Sequence, residues 1–215
     1  MVVEVWFDFL CPQSYLLQQS IEAAIKIYKT EPIELRYRSY EMLPGLKHNM
    51  ETSLFDVISK HLLVERSEVE AYLKQFPNIK DQKPYPVRDA HKMMHLAKKY
   101  SLEMPFITHI FNDFYQTNQD ISSHQYLKEV GLKFGFQLKD IEEVLESNQF
   151  TKAVESNREN AILKGIHRIP HMRINGKHPM YGMQTLAQLL QAFDHAIHYE
   201  KKFHLCEDDS CEIQK

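Results

Sequence analysis

Cysteine is scarce in this chain: 215 residues carry three, Cys11, Cys206 and Cys211. They form no paired CxxC with zinc-finger spacing, and the twelve histidines are scattered without an HExxH pair, so no metal is expected. Basic residues show no surplus either. Lys and Arg number 26 against 29 Asp and Glu, which leaves nothing to neutralise a phosphate backbone and argues against a nucleic-acid partner. Long apolar runs are missing, none approaching the roughly 18 residues of a membrane span, so no membrane partner is expected. The opening Met-Val-Val-Glu-Val-Trp-Phe-Asp has acids at Glu4 and Asp8 and no basic leader, unlike a secretory signal. The expected location is the cytoplasm, where a well-placed cysteine is catalytic, sensing or metal-binding rather than structural.

What is present is a globular composition, 43% hydrophobic and 26% charged, in a chain long enough for a full core. Residues 2–9 and 33–40 read as strands from their β-branched, aromatic and alternating positions. Between them a helix runs from Pro12 to before Glu31-Pro32, completing a strand–helix–strand crossover. After the turn signal Met42-Leu43-Pro44-Gly45 comes a stretch of repeated helical periodicity, with helices predicted near 52–62, 66–75, 87–100, 104–117, 122–134 and 138–147. Ser67, Asp120 or Ser122, and Lys139-Asp140 mark starts. A helix from 151 ends at Gly165. His171–Ile174 then forms a strand, Asn175-Gly176 a hairpin turn, Lys177–Tyr181 the return strand, and Thr185 caps a last helix with Leu186, Leu189, Leu190, Phe193 and Ile197 on one face. The order predicts an α/β fold in discontinuous pieces: 1–42 and 159–200 as one domain, 43–158 as an all-helical insertion, and 201–215 as a polar tail.

The sharpest local feature is Asp8-Phe9-Leu10-Cys11-Pro12-Gln13-Ser14-Tyr15, a cysteine at a strand-to-helix junction. Pro12 suits the first helical turn, and the unpaired N–H groups there favour thiolate, which takes such cysteines to pKa values of about 3.5–7.5. Ser14, one turn on, is placed to donate its hydroxyl to the same sulfur. The alternative is a small buried hydrophobe after a strand. A second feature is Ile169-Pro170 directly before a strand, as a cis bond giving a tight entry or as an ordinary trans proline. His91 and His95 share a helix face at ligand spacing, but with Met93, Met94 and Leu96 around them they read as bundle residues. The methionines, Met104 and Met172 among them, read as core filling or as the lining of an adaptable groove.

Together, Cys-Pro-x-x at the junction, a helical insertion and x-Pro before a hairpin resemble the thioredoxin-like DsbA superfamily, its FrnE-type branch in particular. Four pieces carry the resemblance across residues 2 to 200: Val5-Trp6 through Tyr15; Arg38-Ser39-Tyr40-Glu41 with Pro44; Asp89-Ala90-His91 through His95-Leu96-Ala97; and Gly165 through Pro170 into Asn175-Gly176-Lys177 and Tyr181-Gly182-Met183-Gln184. The resemblance implies a thioredoxin-like fold and a thiol-disulfide oxidoreductase. In it Cys11 attacks a disulfide, Pro170 in cis faces it, and Pro12, Gln13, Ile169 and His171 contact substrate, Ile169 through backbone strand addition.

The chain departs from the branch at Ser14, where Cys-Pro-x-Cys has its second cysteine. A monothiol awaits an outside thiol, so isomerase-like or reductase-like activity on protein or glutathione disulfides is expected, with glutathione as co-substrate and no tightly bound cofactor. Cys206 and Cys211, separated by acidic residues, are candidate resolving thiols. His171, where apolar residues are more usual, either approaches Cys11 or faces solvent as an ordinary strand histidine. Two other readings stand beside this one. Kappa-type glutathione transferases and chromene-carboxylate isomerases carry Ser-Pro-x-Ser at this junction, and a non-catalytic redox-sensing adaptor needs no second cysteine.

Overall fold

The computed structural model describes residues 1–48, 51–76, 78–79 and 83–207, the last eight as backbone only. One sheet lies at its centre, in the order β2-β1-β3-β4. Its strands are β1 (Val2–Phe7), β2 (Glu34–Ser39), β3 (His171–Ile174) and β4 (His178–Tyr181). β1 pairs in parallel with β2 and antiparallel with β3, and β3 pairs antiparallel with β4. The parallel pair is joined by α1 (Pro12–Ile27), the crossover that its spacing predicts. β1 is one of the two inner strands, with Val3, Val5, Trp6 and Phe7 all buried, and β4 closes the sheet with Pro179 and an exposed Tyr181. The β3–β4 turn is the predicted Asn175-Gly176, both residues at positive φ (49° and 70°), as a two-residue hairpin of matching twist requires.

Among the described residues, seven helices run between β2 and β3: α2 (Leu54–Leu62), α3 (Arg66–Leu73), α4 (Arg88–Lys99), α5 (Glu103–Thr117), α6 (His124–Lys133), α7 (Leu138–Glu146) and α8 (Thr151–Leu163). Their order follows the sequence periodicity; their starts differ in detail. Ser53 and Ser123, not Asp120 or Ser122, supply capping side chains, to Asp56 N–H and Tyr126 N–H. Asp120 instead accepts from Ser122 N–H in the preceding turn (2.9 Å). Ser67 falls inside the first turn of α3, which Glu65 precedes, and Lys139-Asp140 lies within the first turn of α7.

The helical segment 43–158 does not make a core of its own. Phe7 and Phe9 of the β1 end, Tyr15 of α1 and Phe111 and Tyr115 of α5 form one aromatic cluster, with Tyr15 stacked on Tyr115 at 4.9 Å. The insertion is thus a matter of chain order, while its packing is shared with the sheet. α9 (Leu186–Glu207) completes the fold, with Leu189, Phe193, Ala196 and Ile197 buried and Leu186 and Leu190 half-buried. Thr185 caps it reciprocally: its hydroxyl accepts from Gln188 N–H (3.3 Å), and Gln188 Oε1 accepts from Thr185 N–H (2.8 Å).

The polar tail expected from residue 201 is a correction at its start. The backbone stays helical to Glu207, because Glu200–Glu207 holds no glycine or proline and its lysines suit a helix C-terminal end. Cys211 lies outside the described residues. Among the described residues, no helix is long and apolar enough to cross a membrane.

Candidate active site

Cys11 stands where β1 hands over to α1. It is the N-cap of the helix, with Pro12 at the first position, and its carbonyl accepts from Ser14 N–H (3.0 Å) and Tyr15 N–H (3.2 Å). Its own N–H donates to Asp8 O (3.1 Å). The thiol points at the loop before β3, where Sγ–H donates to the carbonyl of Ile169 at 3.7 Å. The Ile169–Pro170 bond is cis. Residues 158 positions apart are thus brought together, as the strand order β1-β3 requires. Gly182 N–H donates to Pro170 O (2.9 Å), and at Gly182 (φ 71°) a Cβ would lie 3.3 Å from Gln13 Oε1. Glycine suits this position, since a side chain at that positive φ is strained and its Cβ presses on Gln13.

The low thiol pKa expected of a helix N-terminus is corrected by the structure. Cys11 is fully buried, among Trp6, Tyr40, Ala161, Ile166 and Ile169, and its pKa is pushed up to about 11. Burial is the largest cause. The Ser14 hydroxyl, then the Ser14 and Gln13 amides, pull the other way, and the negative charge of Asp8 adds to the rise. Ser14 is itself buried, and its hydroxyl favours the thiolate without meeting ordinary hydrogen-bond geometry. Ser14→Ala is therefore expected to raise the Cys11 pKa further and slow its alkylation at fixed pH by about tenfold, read from the pH profile of iodoacetamide labelling. Two further buried hydroxyls, Tyr72 of α3 and Tyr115 of α5, feel the charge of the sulfur. Both phenols are pushed up by burial first and the Cys11 charge second.

Asp8 lies beneath this junction, fully buried. Its carboxylate accepts from Leu10 N–H (3.0 Å) and Met42 N–H (2.5 Å), tying the Cys11 loop to the segment after β2. His91 of α4 approaches it at 3.8 Å and packs between Phe7 and Phe9. His95 faces elsewhere, to Ser39 Oγ (3.2 Å) and Asn157 (3.3 Å), so the two helical histidines do not converge. No three His, Cys, Asp or Glu side chains gather as a metal site among the described residues.

Two expectations about the site are corrected. His171 neither meets Cys11 nor faces solvent. It is 1% exposed, edge-on to Trp6 (5.5 Å) and Tyr181 (4.8 Å), and accepts from Arg173 Nε (3.2 Å). Burial and then Arg173 press its pKa down to about 4, so it is neutral at pH 7. Cys206, offered as a resolving thiol, lies on the last turn of α9. That helix starts just beyond Gly182, beside the Cys11 end of the sheet, and runs toward the opposite end, where Tyr199 meets His178. At 1.5 Å per residue its 22 residues span about 33 Å, too far for attack on Cys11 of the same molecule.

One contact was not foreseen. Ile169 N–H donates to Nε2 of His61 at 3.1 Å, so α2 holds the loop that precedes Pro170. His61 sits edge-on to Tyr40 (5.9 Å), and burial lowers its pKa, as do Arg168 and Arg158 against the opposing charge of Asp8. No spacing in the sequence signals His61, since it sits in the last turn of an ordinary amphipathic helix. Asp8 did carry a signal, an acid interrupting an apolar run just before the cysteine.

Solved structures with this architecture include a probable DsbA oxidoreductase from Streptomyces coelicolor, 18% identical over 92% of this chain and 90% of that one, with a TM-score of 0.79. A 2-hydroxychromene-2-carboxylate isomerase is 17% identical over 94% and 99% of the two chains, with a TM-score of 0.67. The cytosolic disulfide reductase DsbM from Pseudomonas aeruginosa, solved with GSH, is 14% identical over 95% and 100%, with a TM-score of 0.58. The model of the DSBA-like thioredoxin domain matches residues 2–194. With a four-stranded sheet, a helical insertion and Cys11 facing the Ile169–Pro170 bond, the chain belongs to the DSBA-like thioredoxin domain family, the family of thiol-disulfide oxidoreductases built on this fold.

Proposed function

We propose that this chain is a monothiol disulfide reductase or isomerase of the FrnE-type branch, acting in the cytoplasm through Cys11 on protein or glutathione disulfides. The observation that carries the reading is the 3.7 Å contact between Cys11 Sγ and the carbonyl preceding cis-Pro170, which puts the thiol beside a backbone edge able to hold an extended peptide. In the first step the Cys11 thiolate attacks one sulfur of the substrate disulfide. A Cys11–substrate disulfide forms and the other sulfur leaves as thiolate. With Ser14 in place of a second motif cysteine, an external thiolate such as that of glutathione then attacks the mixed disulfide, returning Cys11 to thiolate. Ser14 and the α1 N-terminus hold the thiolate in both steps, while Pro12, Gln13, Ile169 and Pro170 frame the groove. The likeness to a disulfide reductase solved with GSH supports glutathione as the second thiol.

The Ser14 hydroxyl also suits a transferase that binds glutathione and activates its sulfur, but in this chain the helix N-terminus already holds a thiol of its own. The decisive experiment is intact-mass and peptide mapping after exposure to oxidised glutathione from pH 7 to 10. A glutathione adduct on Cys11, increasing with pH and removed by reduced glutathione, is the expected result. Adducts confined to Cys206 and Cys211 over the whole range would overturn it.

Strand addition at Ile169 must compete with His61, which holds the Ile169 N–H in the closed site. His61→Ala is therefore expected to tighten binding of a cysteine-free extended peptide by about threefold to tenfold, measured by fluorescence titration. Weaker binding would instead make His61 a substrate contact.

A further inference from the structure

Beside the His61–Ile169 contact opens a groove of about 520 Å³ between α2 and the loop that ends at Pro170. Its lining carries three cations and one acid. Lys60 of α2 and Arg168 of the loop are both exposed, Arg158 of α8 is half-buried, and His61 and His167 add two imidazoles. The one acid in the lining, Asp56, is held by Arg66 at 3.0 Å. Arg158 lies over the Tyr40 ring (5.5 Å) and donates from Nε to Glu41 O (3.0 Å), so it is fixed in place. Lys60 and Arg168 make no ion pair among the described residues. This concentration of positive charge occurs in a chain whose net charge is −3.

Position ties the charge to the chemistry. Lys60 directly precedes His61, and Arg168 directly precedes Ile169, the two residues joined at the mouth of the Cys11 site. A peptide laid along Ile169 with its cysteine at Cys11 would place the residues flanking that cysteine against these side chains. We propose that the groove selects disulfides whose reacting cysteine is flanked by carboxylates. The inference rests on the reading of Cys11 as the attacking thiol and names the substrate class that this thiol meets.

The test uses the full-length protein and three synthetic peptides of equal length, each with one cysteine flanked by Glu, Ser or Lys and each joined by a disulfide to the same neutral fluorescent thiol. Reduced glutathione regenerates the enzyme, and each rate is divided by the uncatalysed rate with a neutral thiol, 2-mercaptoethanol, which removes the effect of flanking charge on the reactivity of the disulfide itself. At low salt the acidic peptide is expected to exceed the basic one in kcat/KM by about tenfold, at about twofold to fivefold for each cation engaged, and the ratio shrinks at high salt. In a Lys60→Ala, Arg168→Ala double variant the ratio approaches one, while the Ser-flanked peptide reacts as before. Equal rates for the acidic and basic peptides, or a preference that survives the double substitution, would overturn the proposal. Cysteine-free versions of the acidic and basic peptides, titrated by fluorescence, read the groove apart from the chemistry. Preferential binding of the acidic one without turnover of any disulfide keeps the groove and discards Cys11 as the attacking thiol, whereas equal binding discards the groove.

Discussion

Cys11→Ser is expected to lower glutathione-dependent reduction of a disulfide peptide by at least about a thousandfold, because the variant removes the atom that forms the mixed disulfide. The fold should persist, since serine is smaller than cysteine and the thiol makes a single long hydrogen bond. Wild-type protein supplies its own internal measure of the effect. With a pKa of about 11, roughly one Cys11 in ten thousand is thiolate at pH 7, and the reactive fraction increases about tenfold per pH unit until the thiol titrates. The log of the rate against pH should therefore climb with unit slope beyond pH 9, above the range where a free cysteine has already levelled. A plateau near pH 8.5 would mean that the thiol is solvated during turnover. Retention of activity in Cys11→Ser, together with tight binding of reduced glutathione, would move the protein to the transferase class.

The second large effect belongs to Asp8. Asp8→Ala removes the acceptor of two buried amides, Leu10 N–H and Met42 N–H, and is expected to cost about 3–5 kcal/mol of stability, read from urea midpoints. Asp8→Asn keeps the shape and one acceptor oxygen but turns an amide nitrogen toward a backbone donor, so the loss should be smaller, about 1–3 kcal/mol. Its effect on the thiol is opposite in sense. The negative charge of Asp8 raises the Cys11 pKa, so neutralising it should lower that pKa and speed alkylation at fixed pH even as the protein becomes less stable. A variant that is both less stable and no more reactive would show that Asp8 acts only as a brace.

Much of this arrangement was legible in the sequence for definite physical reasons. The crossover unit, the Asn175-Gly176 hairpin and the order of the helices follow from periodicity and turn chemistry, which act over a few residues. Cys11, Pro12 and Pro170 stood out because a strand-to-helix junction and a proline before a strand are local signals. The failures concern solvent and distance. The helix N-terminus argued for an acidic thiol, but burial by Trp6, Tyr40 and Ile166 outweighs it, and those residues come from three different parts of the chain. His171 stayed open between approaching Cys11 and facing solvent because strand alternation shows which residues share a face, not whether Trp6 and Tyr181 close over it. His61 was invisible because its importance lies in meeting a residue 108 positions away.

The complete burial of Cys11 has a bearing on chemical durability. Progress from thiol to sulfenic and then sulfinic acid follows thiolate character and access, and the closed site denies the sulfur both. Small oxidants and alkylating agents in solution should spend themselves on more open thiols first. On the proposed mechanism, Cys11 would then outlast an oxidative episode unmodified, with its losses confined to the brief intervals when a substrate holds the groove open.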